Sequence, residues 1–205
     1  MADTLITGTT IVESSTRSNA DIPIGGIIEF DDTYSSLPDG FLACDGSTVN
    51  DPISAYNGQP LPNLNTNYWT TPAANFIGGV QDNVAYFQNE LFVSNSLIRN
   101  SSLASYCPVD LPHGAVVTGV IVYGSETTGS SGTWVMNRQV NDAGAPDAMA
   151  GADNGVEDTS ISNATIDNSD SFYYIKTLTG DGDENRIYGA KITYTPRFKF
   201  VIRIR

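Results

Sequence analysis

The only histidine of the chain, His113, is the side chain best suited to accept a proton at neutral pH. It lies between Pro112 and Gly114, which predicts a loop that leads into a long apolar strand. A base activates a nucleophile only when the two are held together, and no G-x-S-x-G, H-E-x-x-H or Walker motif supplies such a partner. We therefore expect a structural imidazole in a loop, and a protein that is not an enzyme.

Hard oxygen ligands are clustered in the segment TGDGDEN, where Asp181, Asp183 and Glu184 could hold Ca²⁺. The segment lacks the full spacing of an EF-hand loop. A hairpin loop between strands at Phe172–Leu178 and Arg186–Tyr194 would have the same composition. Most other aspartates stand in turn contexts, so a glycosidase-like carboxylate pair is not indicated. We expect no cofactor, with Ca²⁺ as the alternative.

Aromatic side chains are the candidates for contact with sugars, because their faces stack on sugar rings and their polar edges form hydrogen bonds. Trp69 and Trp134 are the glycan-contact candidates, beside Tyr68 and the run Phe172–Tyr174. On a strand, that run places two rings on one face and one on the other. Most aromatic residues on strands belong to the core, and the sequence leaves open which rings are exposed.

The charge of the chain argues against nucleic acid and anionic lipid as partners, since 10 basic and 23 acidic residues give −13. No apolar stretch reaches the ~18 residues of a membrane span, so we expect no membrane insertion. The N-terminus lacks a basic region followed by a long apolar run, which predicts no secretory signal. A hydrophobic fraction of 40% indicates a folded chain.

Basic residues are concentrated at the end of the sequence, in a predicted strand from Phe198 to Ile204. Its alternation places four apolar residues on one face (Phe198, Phe200, Ile202, Ile204) and four cations on the other (Arg197, Lys199, Arg203, Arg205). One interpretation is an edge strand protected by charge. The other is an assembly surface that faces the acidic N-terminal half of the same or a neighbouring subunit.

Residues 1–20 are predicted to form an N-terminal arm. Its alternating segment, which includes Ile6 and Val12, suits a strand added to a neighbouring sheet edge, so we expect these residues to act in assembly. Cys44 and Cys107 allow one disulfide, but without an export signal we expect two reduced, buried thiols.

Two β-rich domains follow the arm. Residues 21–75 are dense in turn signals, with an exit linker at Asn65–Asn75, and predict a small loop-rich unit. Residues 83–205 predict an antiparallel β-sandwich or jelly roll, with a long surface loop at Ala143–Thr159. The predicted strands of this domain are Leu91–Ile98, Ala115–Tyr123, Thr133–Gln139, Ser160–Ile166, Phe172–Thr179, Arg186–Tyr194 and Phe198–Ile204. The fold class is therefore all-β.

The segment from Ile22 to Leu64 resembles the phage tail-collar domain, a family of tail-fibre and related virion proteins. The resemblance rests on three pieces: Ile24-Gly25-Gly26-Ile27-Ile28 followed by Phe30, Leu37-Pro38-Asp39-Gly40-Phe41-Leu42 leading into Cys44-Asp45-Gly46, and Leu61-Pro62-Asn63-Leu64. Phe41 stands where tryptophan is usual, Asn63 where aspartate is usual, and no Gly-Arg follows Leu64. The match covers about a fifth of the chain.

The resemblance implies a non-enzymatic structural protein of a tailed-phage virion, part of a tail fibre or collar or a capsid surface appendage. It further implies a homotrimer on the virion surface. From the alternation of the arm we expect it to contact other virion proteins, and from the aromatic residues we expect contact with host-surface polysaccharide. The alternative is a bacterial carbohydrate-binding adhesin or surface module, which a signal peptide or anchor would favour. An enzyme such as a depolymerase would need a carboxylate pair in a groove.

Overall fold

The computed structural model describes residues 22–31, 36–78, 90–93, 96–99, 104–125, 132–140, 144–178 and 185–205. Over these residues the chain is all-β, in three antiparallel sheets without an α-helix. The strands are β1 (Ile27–Asp31), β2 (Phe41–Ala43), β3 (Asn67–Pro72), β4 (Ile77–Gly78), β5 (Glu90–Val93), β6 (Ser96–Arg99), β7 (Ala104–Val109), β8 (Val116–Ser125), β9 (Thr133–Val140), β10 (Asp147–Asp153), β11 (Ser171–Leu178), β12 (Asn185–Thr195) and β13 (Phe198–Arg203).

The chain forms two compact units, and the smaller one combines segments that are distant in sequence. Its described part consists of residues 22–31 and 36–67 together with Pro196–Arg205. The order of its sheet is β1-β13-β2, so the last of the described strands lies between the first two of them. Val201 pairs with Ile28 on one side and with Ala43 on the other. The small unit therefore depends on β13 for its central strand.

Each face of the small sheet carries its own core cluster because β13 is apolar on both faces at its centre. On one face, Val201 packs with Ile28, Phe30 and Phe41. On the other face, Ile202 and Ile204 pack with Cys44, Val49 and Leu61. Burial of an aliphatic side chain of this size contributes about 1.5–3 kcal/mol. The last strand thus connects both clusters of the unit.

The larger unit, Tyr68–Thr195, is a β-sandwich. Its first sheet has the order β10-β9-β11-β7-β4, and its second has β3-β12-β6-β5 with β8 paired to β12. Inward-facing residues of both sheets form one core cluster, in which Met136 and Ile175 of the first sheet meet Val120, Val122 and Ile192 of the second. The alternating burial along β11 shows how the pattern of the sequence directs one face of a strand into this core.

The outer edge of β8 is covered by an irregular segment. Val117 and Val120 donate backbone hydrogen bonds to Ala164 (2.9 Å) and Asp158 (3.0 Å). The carboxylate of Asp158 fixes this segment by accepting hydrogen bonds from the backbone N–H groups of Gly151 and Ser160. Unpaired strand edges invite pairing with other chains, so this cover removes one such edge.

The predicted domain boundaries need correction at the end of the chain. The second domain was expected to run from 83 to 205, but β13 belongs to the small unit. The predicted linker Asn65–Asn75 contains β3 and a short 3-10 turn at Ala73–Asn75, and the predicted loop Ala143–Thr159 contains β10. Ser160–Ile166 forms no strand; it contributes an isolated bridge between Thr165 and Val116. The predicted strand Leu91–Ile98 is the hairpin β5–β6.

Both cysteines are free and buried, each in a different core cluster. Burial raises the pKa of the Cys44 thiol, with a further contribution from the charge of Asp45. Burial also raises the pKa of the Cys107 thiol. These thiols are small apolar core groups, as the sequence predicts. Within the described part of the chain, no helix is long and apolar enough to cross a membrane.

Candidate functional site

His113 lies in the turn before β8 and contacts the loop that follows β10. Its Nδ1 accepts a hydrogen bond from the backbone N–H of Asn168 (3.2 Å) and lies 3.6 Å from Oδ1 of Asp167. The hydroxyl of Ser169 donates to the same carboxylate oxygen at 2.5 Å. In a nucleophilic triad the histidine stands between serine and carboxylate, whereas here the carboxylate is in the middle. This arrangement cannot activate the serine.

The role of this cluster is to fix a loop. Hydrogen bonds from the side chain and then the backbone of Ser169 hold the pKa of Asp167 below its ordinary value, and the charges of His113 and Arg138 act in the same direction. The amide of Asn168 donates to the carbonyl of Leu111 at 2.8 Å. Asp167 is therefore a turn-forming carboxylate, as aspartates in such contexts usually are.

The candidate Ca²⁺ ligands Asp181, Asp183 and Glu184 lie outside the described residues. The strands that flank them belong to different sheets of the sandwich, since β11 pairs with β7 and β9 whereas β12 pairs with β6 and β8. The hairpin expected between them is therefore not formed. Among the residues that the structure describes, no three His, Cys, Asp or Glu side chains are grouped as metal ligands.

Lys199 and Arg203 lie on the central strand β13, with Arg197 before it and Arg205 after it, so the predicted edge strand is wrong. Arg203 donates to the backbone carbonyls of Ile22 and Arg205. Arg205 forms an ion pair with Asp51, with 3.5 Å between Nη1 and Oδ2. Arg203 and Arg205 thus contact the N-terminal part of their own chain.

Arg197, Lys199 and Arg205 are exposed, whereas Arg203 is half-buried. The guanidinium of Arg197 lies over the ring of Phe198, 5.4 Å from its centroid. Their predicted role in assembly stays a prediction. The other assembly candidates, Ile6 and Val12, and the arm that contains them lie outside the described residues.

The structure places neither tryptophan where a sugar could stack freely. Trp134 is 0% exposed, and its indole N–H donates to the carbonyl of Asp153 at 3.1 Å. Trp134 is therefore a core residue, and its predicted glycan contact is wrong. Trp69 is half-buried and packs against the same core cluster. The sequence shows by alternation which residues share a face of a strand. It does not show which of the two faces is buried in the core.

Two exposed aromatic residues, Tyr106 and Phe172, lie on the outer face of the first sandwich sheet. There a cavity of about 480 Å³ is lined mainly by Ile77, Tyr106, Pro108, Phe172 and Tyr174, which we name the aromatic cleft. Phe172 and Tyr174 point outward because the residues between and after them, Tyr173 and Ile175, are buried. This confirms the expectation that two rings of Phe172–Tyr174 share a face. The contributions of Ile77 and Tyr106 were missed because they depend on strand pairing.

In the small unit, the first two pieces of the collar-like motif form hydrogen bonds with β13, and Leu61 of the third piece packs in the core cluster of Ile202 and Ile204. The backbone N–H groups of Gly25 and Cys44 donate to Arg203 and Phe200, each at 2.8 Å. Ile204 donates to the carbonyl of Gly40 at 2.8 Å. The side chain of Asn65 accepts from the N–H of Phe200 and donates to its carbonyl. Residues at both ends of the described chain thus form one hydrogen-bonded unit.

The geometry of the turns explains why glycine stands at two of the motif positions. Gly25 has φ +85°, and the phenol oxygen of Tyr56 covers the space where a Cβ would lie. Gly40 has φ +83°, and a Cβ there would be 2.8 Å from the carbonyl oxygen of Arg205. Only glycine accommodates both constraints without strain.

A second open cavity of about 530 Å³ lies in the small unit, between the turn at Pro38–Gly40 and the loop at Ser47–Pro52. Its rim includes Asp39, Asp51 and Arg205. The pairing of Arg205 with Asp51 uses the one cation that lines it. This cavity therefore combines charge of both signs.

No protein-family model matches the chain, and a comparison with curated proteins finds no match.

Proposed function

We propose that this chain is a non-enzymatic structural protein of a tailed-phage virion, assembled as a homotrimer in a tail fibre, in a collar or as a capsid surface appendage. The observation that carries the proposal is that the three collar-like motif pieces form one small unit around β13. The first two pieces form backbone hydrogen bonds with β13, and Leu61 of the third packs with Ile202 and Ile204. Backbone hydrogen bonds join the motif residues to β13 and to one another. Two of the four motif glycines, Gly25 and Gly40, occupy conformations that require glycine. The three motif pieces, which are separate segments of the sequence, therefore belong to a single structural unit.

Apolar exposure on the small unit supports a partner for it. Ile24, Ile27, Ile53 and Leu64 are all exposed, and the most exposed, Ile53, reaches 75%. Single exposed apolar residues are ordinary, but several on a unit with only two small core clusters favour burial in an assembly. We propose that these residues lie at the subunit contacts of the trimer, and that the arm (1–20) contacts other virion proteins.

The alternative function is a bacterial carbohydrate-binding adhesin or surface module. The aromatic cleft favours this alternative as much as it favours host contact by a virion protein, because a saccharide site suits both. The two functions differ in where the protein is found. Neither needs nucleic acid, membrane insertion or a cofactor.

Light scattering on the purified chain tests the assembly. We expect about three times 21.9 kDa at micromolar concentration, and loss of stability upon dilution if the trimer is obligate. A particle mass of one chain would contradict the proposal. The variant Ile53→Asp should dissociate the trimer, whereas Thr165→Asp, an exposed position in the larger unit, is the matched control and should not.

Gold-labelled antibodies against the chain test its location. We expect labelling at a fixed position on tailed particles. Labelling of the surface of uninfected bacteria would support the adhesin and contradict the virion protein. A mass of three chains with surface labelling of uninfected cells would retain the trimer and reject the phage assignment.

A further inference from the structure

The aromatic cleft is an open site on a rigid sheet. Tyr106 lies on β7 with Ile77 opposite on β4, and Tyr174 lies opposite Pro108 across β11 and β7. Backbone pairing on both sides holds β7 and β11 in register, so the side chains of the cleft are fixed relative to one another. A site built on paired strands is more exact in geometry than a site built on loops.

The rings form an angled pair with an exposed neighbour. The centroids of Tyr106 and Tyr174 are 5.8 Å apart, with 52° between the ring planes. Phe172, two residues before Tyr174 on the same face, is 54% exposed, and Ile77 is 61% exposed. The cleft therefore offers apolar faces in different orientations, together with two phenol hydroxyls.

The chemistry of the lining selects the class of ligand. None of the residues that line the cleft carries a charge, and the whole chain carries −13, so an anionic ligand would find no cation within the cleft. The lining is aromatic and aliphatic with few polar groups, and a volume of about 480 Å³ falls within the usual range of small-molecule sites. These properties fit a neutral ring compound with an apolar face and a hydroxylated edge.

A second copy of this chain fits the cleft less well. A two-fold interface places the same surface patch on both sides, and a concave cleft does not complement itself. A stable protein interface buries upward of about 1,000 Å², far more than a cleft built around five side chains provides. The occupant that fits is therefore small.

We propose that the aromatic cleft binds a neutral saccharide. A pyranose ring stacks its C–H face on Phe172 and Tyr174, and the hydroxyl of Tyr106 exchanges hydrogen bonds with the hydroxyls at the sugar edge. Lys176, opposite Tyr106 on the outer face of β11, is a cation that does not line the cleft, and its ammonium group can donate a hydrogen bond to a sugar hydroxyl at the border. This inference deepens the host-contact part of the proposed function, and it does not require the trimer.

The test measures binding of defined neutral oligosaccharides to the full chain by saturation-transfer NMR and calorimetry. The probes are lactose, cellobiose, maltotriose, mannotriose and N,N′-diacetylchitobiose. We expect at least one of them to bind, with saturation transfer strongest at the ring C–H protons. Phe172→Ala and Tyr174→Ala should each weaken its binding at least about tenfold.

Two further variants separate stacking from hydrogen bonding and from general effects. Tyr106→Phe retains the ring and should weaken binding less than Tyr106→Ala. Tyr68→Ala removes an exposed tyrosine from the other sheet of the sandwich and should leave binding unchanged. Circular dichroism should show the same fold and nearly the same melting temperature for all variants.

Absence of binding for every probe would overturn the inference, and so would binding that Phe172→Ala and Tyr174→Ala leave unchanged. A fall in oligomer mass for Phe172→Ala without saccharide binding would identify the cleft as a subunit contact instead. A chain that binds saccharide as a monomer would retain this inference and refute the homotrimer, so the two proposals can fail separately.

Discussion

The phenol of Tyr56 closes the space next to Gly25, so that the turn before β1 and the loop after β2 are in direct contact within the small unit. An added Cβ at Gly25 would meet the oxygen and the ring of Tyr56, and the φ of +85° disfavours any other residue. Gly25 also donates its N–H to Arg203. Gly25 therefore has three roles: it forms the turn, it leaves space for Tyr56, and it donates a backbone hydrogen bond to β13.

Gly25→Ala should destabilise the small unit by roughly 3 kcal/mol, because left-handed strain of about 1–2 kcal/mol adds to a steric clash. Gly58→Ala is the matched control: its φ is +78°, but no atom lies within 4 Å of the added Cβ. Gly58→Ala should therefore lower the stability of the small unit only by the cost of the left-handed strain. Urea unfolding measures both, and equal losses for the two variants would contradict the contact with Tyr56.

Ile202→Ala should destabilise the small unit by about 2–4 kcal/mol, because it leaves a cavity beside Cys44 and Ile204. Ile53→Ala makes the same chemical change at a side chain that is 75% exposed and should stay within about 0.5 kcal/mol in the monomeric chain. Hydrogen exchange should speed up in 22–67 and 196–205 for Ile202→Ala alone. Unchanged exchange there would contradict the central position of β13.

Thr177→Val should leave the stability of the sandwich unchanged or raise it by about 1 kcal/mol. The hydroxyl of Thr177 is buried opposite Ser105 and has no hydrogen-bond partner, so its removal relieves a desolvation cost. Thr71→Val is the matched control, since the hydroxyl of Thr71 accepts a hydrogen bond from Asn75 at 2.9 Å. That variant should lose about 1 kcal/mol. Thermal unfolding distinguishes the two, and a loss of equal size at Thr177 would contradict the prediction.

Thiol titration should count two free cysteines in denaturant and almost none within minutes in the native protein at pH 8. Burial raises the pKa of both Cys44 and Cys107, so each thiol stays protonated and shielded from the reagent. Rapid native reaction of either thiol would show that its cluster opens easily. A count of zero in denaturant would show a disulfide.

The stability of the small unit should fall as the pH decreases below about 4. Hydrogen bonds from Ser47 lower the pKa of Asp45 below 3.8 in the folded state, so between the two pKa values the unfolded chain binds more protons than the folded chain. This contribution is present above the unfolded pKa and is lost as the pH falls through the folded pKa. Asp45→Asn retains the acceptor for the Ser47 N–H and should flatten this part of the pH profile, as measured by urea unfolding. The prediction would be contradicted if the stability of Asp45→Asn fell with decreasing pH as steeply as that of the unchanged chain.

Local patterns in the sequence predict much of the fold. The alternation of Phe198–Ile204 and the apolar run Ala115–Tyr123 predict β13 and β8, since these segments are rich in β-branched and aromatic residues. Pro38-Asp39-Gly40 and Asp45-Gly46 predict the reversals on either side of β2. β10, with the sequence DAMAGAD, escapes prediction because alanine, glycine and aspartate are poor strand formers.

The partners of each strand are the part that the sequence leaves open. Nothing local in Phe198–Ile204 distinguishes the edge of a sandwich from the centre of a separate sheet, because that depends on residues far away in the chain. The aromatic cleft has the same origin: Phe172 and Tyr174 share a face by alternation, but Tyr106 and Ile77 join them only through the pairing of β7 with β11 and β4. For Trp134 the outcome is the opposite: the register of β9 directs its side chain into the core, away from any exposed surface.

The late position of β13 imposes an order on biosynthesis. Ser54 donates its hydroxyl hydrogen bond to the carbonyl of Ile204, 150 residues further along the chain. β1 and β2 leave the ribosome long before the strand that pairs with both of them, whereas every strand of the sandwich precedes it. The sandwich can therefore fold first, while the edges of β1 and β2 stay unpaired until β13 has been synthesised. A premature stop before Pro196 would leave these edges without their partner, a state that chaperones and proteases recognise by its exposed apolar strands.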